Sequence, residues 1–99
     1  MPERSVRLPV EVQQTIRSLH PDLKRRVRAA VELLRANPEA GKALKGELDG
    51  WRSLRVGRMR IVYRASRASV AVAAIGPRAS IYLETARLLR RTPQPARPL

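Results

Sequence analysis

Leu54-Arg55-Val56-Gly57-Arg58-Met59-Arg60-Ile61-Val62-Tyr63-Arg64 reads as a β-hairpin. Apolar residues alternate along Arg52 to Val56 and again along Met59 to Ala65, and Gly57-Arg58 separates the two runs. Glycine at the first central position suits a two-residue type II′ turn, where φ is positive. A loop of that length fixes the register: Val56 faces Met59, Arg55 faces Arg60 and Leu54 faces Ile61. Strand side chains alternate faces, so Leu54, Val56, Met59, Ile61 and Tyr63 point to the core. Ser53, Arg55, Arg60, Val62 and Arg64 take the other side. Like charges directly opposite across a ladder are destabilising. Three arginines gathered on one face therefore point to a site for an anion, since guanidinium groups engage phosphate oxygens bidentately.

The rest of the chain is short and very basic. Ninety-nine residues make one domain with a modest core. The absence of cysteine excludes disulfides, thiol catalysis and cysteine-based zinc sites, and fits a reducing cytoplasm. His20 is the single histidine, so a two-histidine mechanism for RNA cleavage is impossible and a metal site is not expected. No run approaches the ~18 apolar residues of a membrane span, and the N-terminus carries no apolar signal segment. The net charge is +13, with Lys plus Arg 21 against Asp plus Glu 8. After Asp49 the only acid is Glu84, whereas eleven arginines follow Gly50. Such a surface seeks a polyanion or a strongly acidic protein. No long basic amphipathic helix presents itself, so a membrane partner is not expected.

Taken in order, Arg4 to Leu8 is a short alternating strand, and Pro9 is well placed to open a helix over 9–19 with Val12, Ile16 and Leu19 inward. His20-Pro21-Asp22 interrupts it, with His20 as a turn or helix-end residue. Leu23, Val27, Ala30, Val31 and Leu34 form the apolar stripe of a second helix over 22–36, stopped by Asn37-Pro38. Two helices with so short a break predict an antiparallel hairpin covering one face of a sheet. Residues 37–50 read as the longest loop, anchored by Leu44 and Leu48, with Lys42 and Lys45 projecting from it. Trp51 reads as a core plug rather than a stacking platform. Val70 to Ile75 is apolar on both faces, as expected of a central strand whose alanines leave room for helices on one side and an arginine cleft on the other. Ser80 is positioned to cap a last helix over 81–91 with Ile81, Leu88 and Leu89 inward. The predicted class is α+β, ordered β-α-α-β-β-β-α, with a small antiparallel-rich sheet. Residues 1–91 form the domain, and the proline-rich 92–99 is expected to be disordered or ordered by a partner.

In this order, "GKALKGEL", "GWRSLRVGRMRIVYR", "VAVAAIGPR" and "SIYLETARLL" resemble the RelE/ParE superfamily of type II toxin–antitoxin toxins, from about Val6 to Arg91. One branch, like RelE, comprises ribosome-dependent mRNA endonucleases. The resemblance implies attack of the 2′-hydroxyl on the adjacent phosphate without metal or other cofactor. That chemistry needs a group to take the 2′-OH proton, cations to stabilise the phosphorane, and a group to protonate the leaving 5′-oxygen. Matched position by position, the phosphate-stabilising arginine of the third strand is Arg60, the arginine after "IGP" is Arg78, the late catalytic tyrosine is Tyr82, and Arg55 is a basic position of the second strand. A packing role for Tyr82 stays open beside the catalytic one. Lys45, Arg52, Arg58 and Arg64 would bind nucleic-acid backbone.

The sequence departs from RelE-type enzymes where they carry lysines on the second strand as the proton-handling cluster. Trp51, Arg52 and Ser53 stand there instead. Arginine holds its proton throughout the physiological range and is a poor base, which leaves Glu47, Asp49 and Tyr82 as proton acceptors. The other branch, like ParE, poisons DNA gyrase and needs no nuclease constellation. Either branch implies a cognate acidic antitoxin; the first adds mRNA and the ribosome as partners, the second DNA gyrase.

Overall fold

The computed structural model describes residues 4–91, with only the backbone of Arg91 described; the expectation for 92–99 lies outside this range. The elements in chain order are β1 (Ser5–Arg7), α1 (Val10–Ser18), α2 (Pro21–Ala36), β2 (Lys42–Ala43), a 3-10 turn (Gly46–Leu48), β3 (Arg52–Val56), β4 (Met59–Ala65), β5 (Ser69–Pro77) and α3 (Arg78–Arg91). The fold is α+β, as the pattern predicts. The strands form one mixed sheet in the order β1-β5-β4-β3-β2, with β1 parallel to β5 and every other pair antiparallel.

The hairpin register is the predicted one, with Val56 opposite Met59, Arg55 opposite Arg60 and Leu54 opposite Ile61. Gly57 takes φ +60°, and among the described residues no non-glycine has positive φ. Arg58 therefore keeps an ordinary φ, which is the type II′ arrangement rather than type I′. The αα-hairpin also begins where proline and its neighbours predict. His20 caps α2, its ring nitrogen accepting the Asp22 backbone N–H at 3.4 Å, and Pro21 opens the first turn.

Two apolar layers follow from strand alternation. On one face Val56, Ile61, Tyr63, Val70, Val72 and Ile75 pack against Val12 and Ile16 of α1 and Val27, Val31 and Leu34 of α2. On the other face Val62 and Ala73 meet Ile81 of α3, with Leu44, Trp51, Ala74 and Tyr82 around them. A register shift at Val62/Tyr63 leaves Ala73 without a cross-strand partner. It turns both Ala73 and Ala74 toward α3. Full burial of one Leu or Ile contributes about 1.5–3 kcal/mol, so both layers hold the sheet.

Three local expectations change. The segment 37–50 is not all loop: Lys42 and Ala43 pair with Ser53 and Arg52 as a short edge strand, and a 3-10 turn follows. The last helix starts at Arg78, directly after the strand, so Ser80 lies in its first turn instead of capping it. Leu88 is 41% exposed. The inward stripe runs through Ile81, Tyr82, Thr85, Ala86 and Leu89. Thr85 is fully buried because its hydroxyl donates to the Ile81 carbonyl at 2.7 Å. With threonine at the centre of the stripe, Leu88 falls on its margin. The face expected to hold an open arginine cleft is thus partly roofed by α3.

Candidate phosphate-binding site

The arginines of the hairpin converge at one end of the sheet. Arg55 and Arg60 are cross-strand partners, and Arg60 is opposite Gly76 of β5. Paired residues of a ladder share a face, and Ile81 of α3 packs over Gly76 on that face. Arg58 is the second residue of the turn. Arg78 follows Pro77, which pairs with Met59 beside the same turn. Arg55, Arg58 and Arg78 are exposed and Arg60 is half-buried.

Among the described residues none of the four is in an ion pair, and the Glu84 carboxylate of α3 comes within 3.8 Å of where a Cβ at Gly76, the partner of Arg60, would stand. Among the described residues the ion pairs are Arg25–Asp22, Arg35–Glu32 and Arg90–Glu47, all elsewhere. Arg55 Nε donates to the Gly57 carbonyl at 3.2 Å, which holds its guanidinium back toward the turn. Tyr82 lies alongside. Its hydroxyl shares a 3.0 Å hydrogen bond with Ser53 Oγ, and Ser53 is 2% exposed. Ser53 and Arg55 are two residues apart on one strand face, roughly 7 Å along the strand. A hydroxyl pair therefore sits one pleat from the Arg55–Arg60 pair.

The remaining predicted binding residues occupy the far end of the sheet. Arg52 lies opposite Tyr63 and donates to the Gly41 carbonyl at 2.8 Å, bracing the segment after α2. Arg64 stacks over Trp51, its guanidinium carbon 4.8 Å from the ring centroid. Trp51 packs against the Val62–Ile81 cluster, so it plugs that layer on one side and carries Arg64 on the other. Lys45 is exposed just before the 3-10 turn. Of the proton acceptors considered from sequence, Glu47 is engaged by Arg90 at 3.3 Å, and Tyr82 is the one beside the arginine pair.

Two participants escaped sequence reasoning. Ser53 is a small polar residue whose importance comes from α3 laying Tyr82 over it. Arg26 of α2 lies against the turn, where a Cβ added at Gly57 would stand 3.4 Å from its Nη1. The basic surface of α2 was visible in sequence, but not which of its residues meets the hairpin. Tyr63 plays a supporting part. It donates to the Pro38 carbonyl at 2.6 Å and accepts the Gly41 N–H at 2.9 Å. Burial pushes its phenol above the ordinary value, opposed by the Gly41 N–H and the Arg52 charge. No group of three metal-ligating side chains occurs among the described residues, and no helix there is long and apolar enough to cross a membrane.

Comparison with known proteins agrees with this architecture. The family model described as the ParE toxin of the type II toxin–antitoxin system parDE matches residues 8–82. The toxin–antitoxin complex RelBE2 from Mycobacterium tuberculosis contains a chain 26% identical with a TM-score of 0.69; the match covers 78% of this chain and 100% of that one. A free-state mutant of the Escherichia coli toxin RelE is 21% identical with a TM-score of 0.69, covering 91% of this chain and 98% of its own. The archaeal RelE–RelB complex from Pyrococcus horikoshii is 21% identical with a TM-score of 0.65, covering 78% and 97%. No curated protein matches the sequence. With a family model spanning residues 8–82 and solved relatives of similar fold, this protein belongs to the RelE/ParE superfamily as a type II toxin–antitoxin toxin.

Proposed function

We propose that this toxin is a ribosome-dependent mRNA endonuclease, held inactive by a cognate acidic antitoxin in the cytoplasm. The observation that carries the reading is the group Arg55, Arg60 and Arg78 at one sheet end, in no ion pair among the described residues, with the Tyr82–Ser53 hydroxyl pair beside it. Arg60 and Arg78 grip the scissile phosphate. As the 2′-oxygen attacks phosphorus, the guanidinium groups take up the additional negative charge of the phosphorane. The Tyr82–Ser53 pair relays the proton: the tyrosine oxygen, held in place by Ser53, accepts the 2′-OH proton as it gives up its own hydroxyl proton to a phosphoryl oxygen. That proton passes on to the 5′-oxygen as the P–O5′ bond breaks, so the products are a 2′,3′-cyclic phosphate and a 5′-hydroxyl end. Arg55 and Arg58 bind flanking backbone; at the far end Lys45, Arg52 and Arg64 contribute long-range attraction. The solved relatives RelBE2 and archaeal RelE–RelB are toxin–antitoxin complexes, and the +13 charge suits an acidic wrapping segment.

A second reading, inhibition of DNA gyrase without nuclease activity, is favoured by one observation: the matching family model is that of the ParE toxin. Mapping transcript ends after induction, beside a gyrase supercoiling assay, separates the two. New 5′-hydroxyl ends within translated messages support the nuclease. Toxicity with intact transcripts and cleaved, gyrase-linked DNA refutes it. Arg60→Ala and Arg78→Ala should each abolish toxicity with the thermal melt unchanged, and retained toxicity in both rejects the site assignment.

A further inference from the structure

Gly57 is touched from both faces of the sheet. Arg55, on the α3 face, donates to its carbonyl at 3.2 Å. Arg26, in the second turn of α2 on the opposite face, lays its guanidinium group against the same glycine, with Nη1 3.4 Å from where a Cβ would be. Arg58 completes the turn between them. All three are exposed, and among the described residues none is in an ion pair. Gathering like charges around one residue is unfavourable, and the arrangement joins two faces that α2 and α3 otherwise keep apart.

We infer that Arg55, Arg58 and Arg26 form a phosphate track that carries a single RNA strand around the hairpin tip, from the arginine face under α3 onto the helix-hairpin face, with Arg26 as its outer contact. The inference rests on RNA being the substrate and extends the site to a second face. RNA fits better than an acidic protein because the track contains no exposed apolar or aromatic anchor. Protein interfaces place such anchors at their centre, whereas a phosphate backbone asks chiefly for charge.

The test uses the full chain and a short 2′-O-methyl RNA oligonucleotide, which lacks the attacking hydroxyl and so reports binding alone. Affinity is followed by fluorescence anisotropy over a range of salt concentrations. Arg26→Gln should weaken binding at low salt and reduce the slope of log affinity against log salt by about 0.7, the value for one phosphate contact to a single strand. Arg55→Gln should do the same, and Arg26→Lys should restore most of the slope. Arg67→Gln, in the turn at the opposite end of the sheet between β4 and β5, removes the same charge and should leave the slope unchanged. An Arg26→Gln slope equal to wild type, or equal losses in Arg26→Gln and Arg67→Gln, overturns the track. So does a polyglutamate peptide that depends on Arg26 while the RNA does not. Equal melting temperatures for the variants establish that the fold is intact. If the binding results hold but ribosome-bound message is never cut, the nuclease reading fails and the track stands.

Discussion

Removing one oxygen atom tests how the segment after α2 is held. Tyr63 is 0% exposed, and its hydroxyl joins the Pro38 carbonyl to the Gly41 N–H. Tyr63→Phe keeps the ring in the core and deletes both bonds. The buried Gly41 N–H then loses its partner, at about 1–3 kcal/mol for an orphaned buried donor. The Pro38 carbonyl is half-buried and can turn to water, adding about 0.5 kcal/mol. Losing a buried hydroxyl refunds about 1 kcal/mol of desolvation. The net expectation is about 0.5–2.5 kcal/mol of destabilisation, which for a domain this size lowers Tm by roughly 2–20 °C. Urea denaturation should show a lower midpoint at unchanged slope. The alkaline response supplies a second signature. Burial raises the folded-state pKa of Tyr63 above 10.0, so the unfolded chain releases that proton first. The protonated tyrosine contributes its full share of stability below pH 10, and that share is lost as pH rises from 10 through the raised folded value. The gap between wild type and Tyr63→Phe should therefore narrow above pH 10. A variant within about 0.5 kcal/mol of wild type at neutral pH, the usual range for inconsequential substitutions, would refute the pinning role.

The same contact makes Gly41→Ala costly, because its Cβ would sit 2.5 Å from the Tyr63 hydroxyl oxygen; a loss of about 1–3 kcal/mol is expected. A double-mutant cycle by urea denaturation should show a smaller penalty in the Tyr63→Phe background. Arg55→Gln relieves the cross-strand arginine pair and should raise stability by up to about 0.5 kcal/mol, while lowering toxicity on induction. Gly57→Ala places a side chain at φ +60° and should cost about 1 kcal/mol by thermal melt, with Gly57→Asn closer to wild type. Glu47→Gln breaks the Arg90 pair, whose side chains are 61% and 63% exposed, and should change stability by under about 0.5 kcal/mol in a urea titration, since α3 is held by Ile81 and its neighbours.

What could be read in advance follows the range of the forces involved. The hairpin register is local: a two-residue loop with glycine first leaves one pairing, and Arg55 opposite Arg60 followed from it. The helix pair was legible because His20-Pro21 and Asn37-Pro38 punctuate strong apolar stripes. By contrast, β1 lying parallel to β5, which begins over sixty residues later, leaves no mark in a strand of three residues. The edge strand Lys42–Ala43 carries no apolar alternation, and only its pairing with β3 reveals it. In the last helix Leu88 looked like core, whereas the inward stripe is centred on Thr85, whose burial depends on the Ile81 carbonyl that the folded helix supplies. The site divides the same way. Arg55, Arg58, Arg60 and Arg78 are brought together by hairpin geometry and one strand end. Arg26 and Ser53 join them only through packing of α2 and α3. Arg64 and Lys45 share the charge but lie at the opposite sheet end, since strand alternation tells which face a residue occupies and not how far along the sheet it is useful.

The cross-strand arginine pair persists because slipping away from it is worse. A like-charged cross-strand pair costs about 0.2–1 kcal/mol. Shifting β3 against β4 by one residue would separate Arg55 from Arg60, but it would also turn Leu54 and Val56 out of the layer shared with α1 and α2. Each buried apolar side chain lost there forfeits about 1.5–3 kcal/mol, so the core outweighs the repulsion several-fold. On the opposite face Ile81 and Val62 fix α3, and with it Tyr82 against Ser53. The charges are thus held in position by apolar contacts that no anion needs to form. On the proposed function, a phosphate arriving at this end of the sheet would meet guanidinium groups already gathered, and its binding would remove a repulsion that folding has left in place.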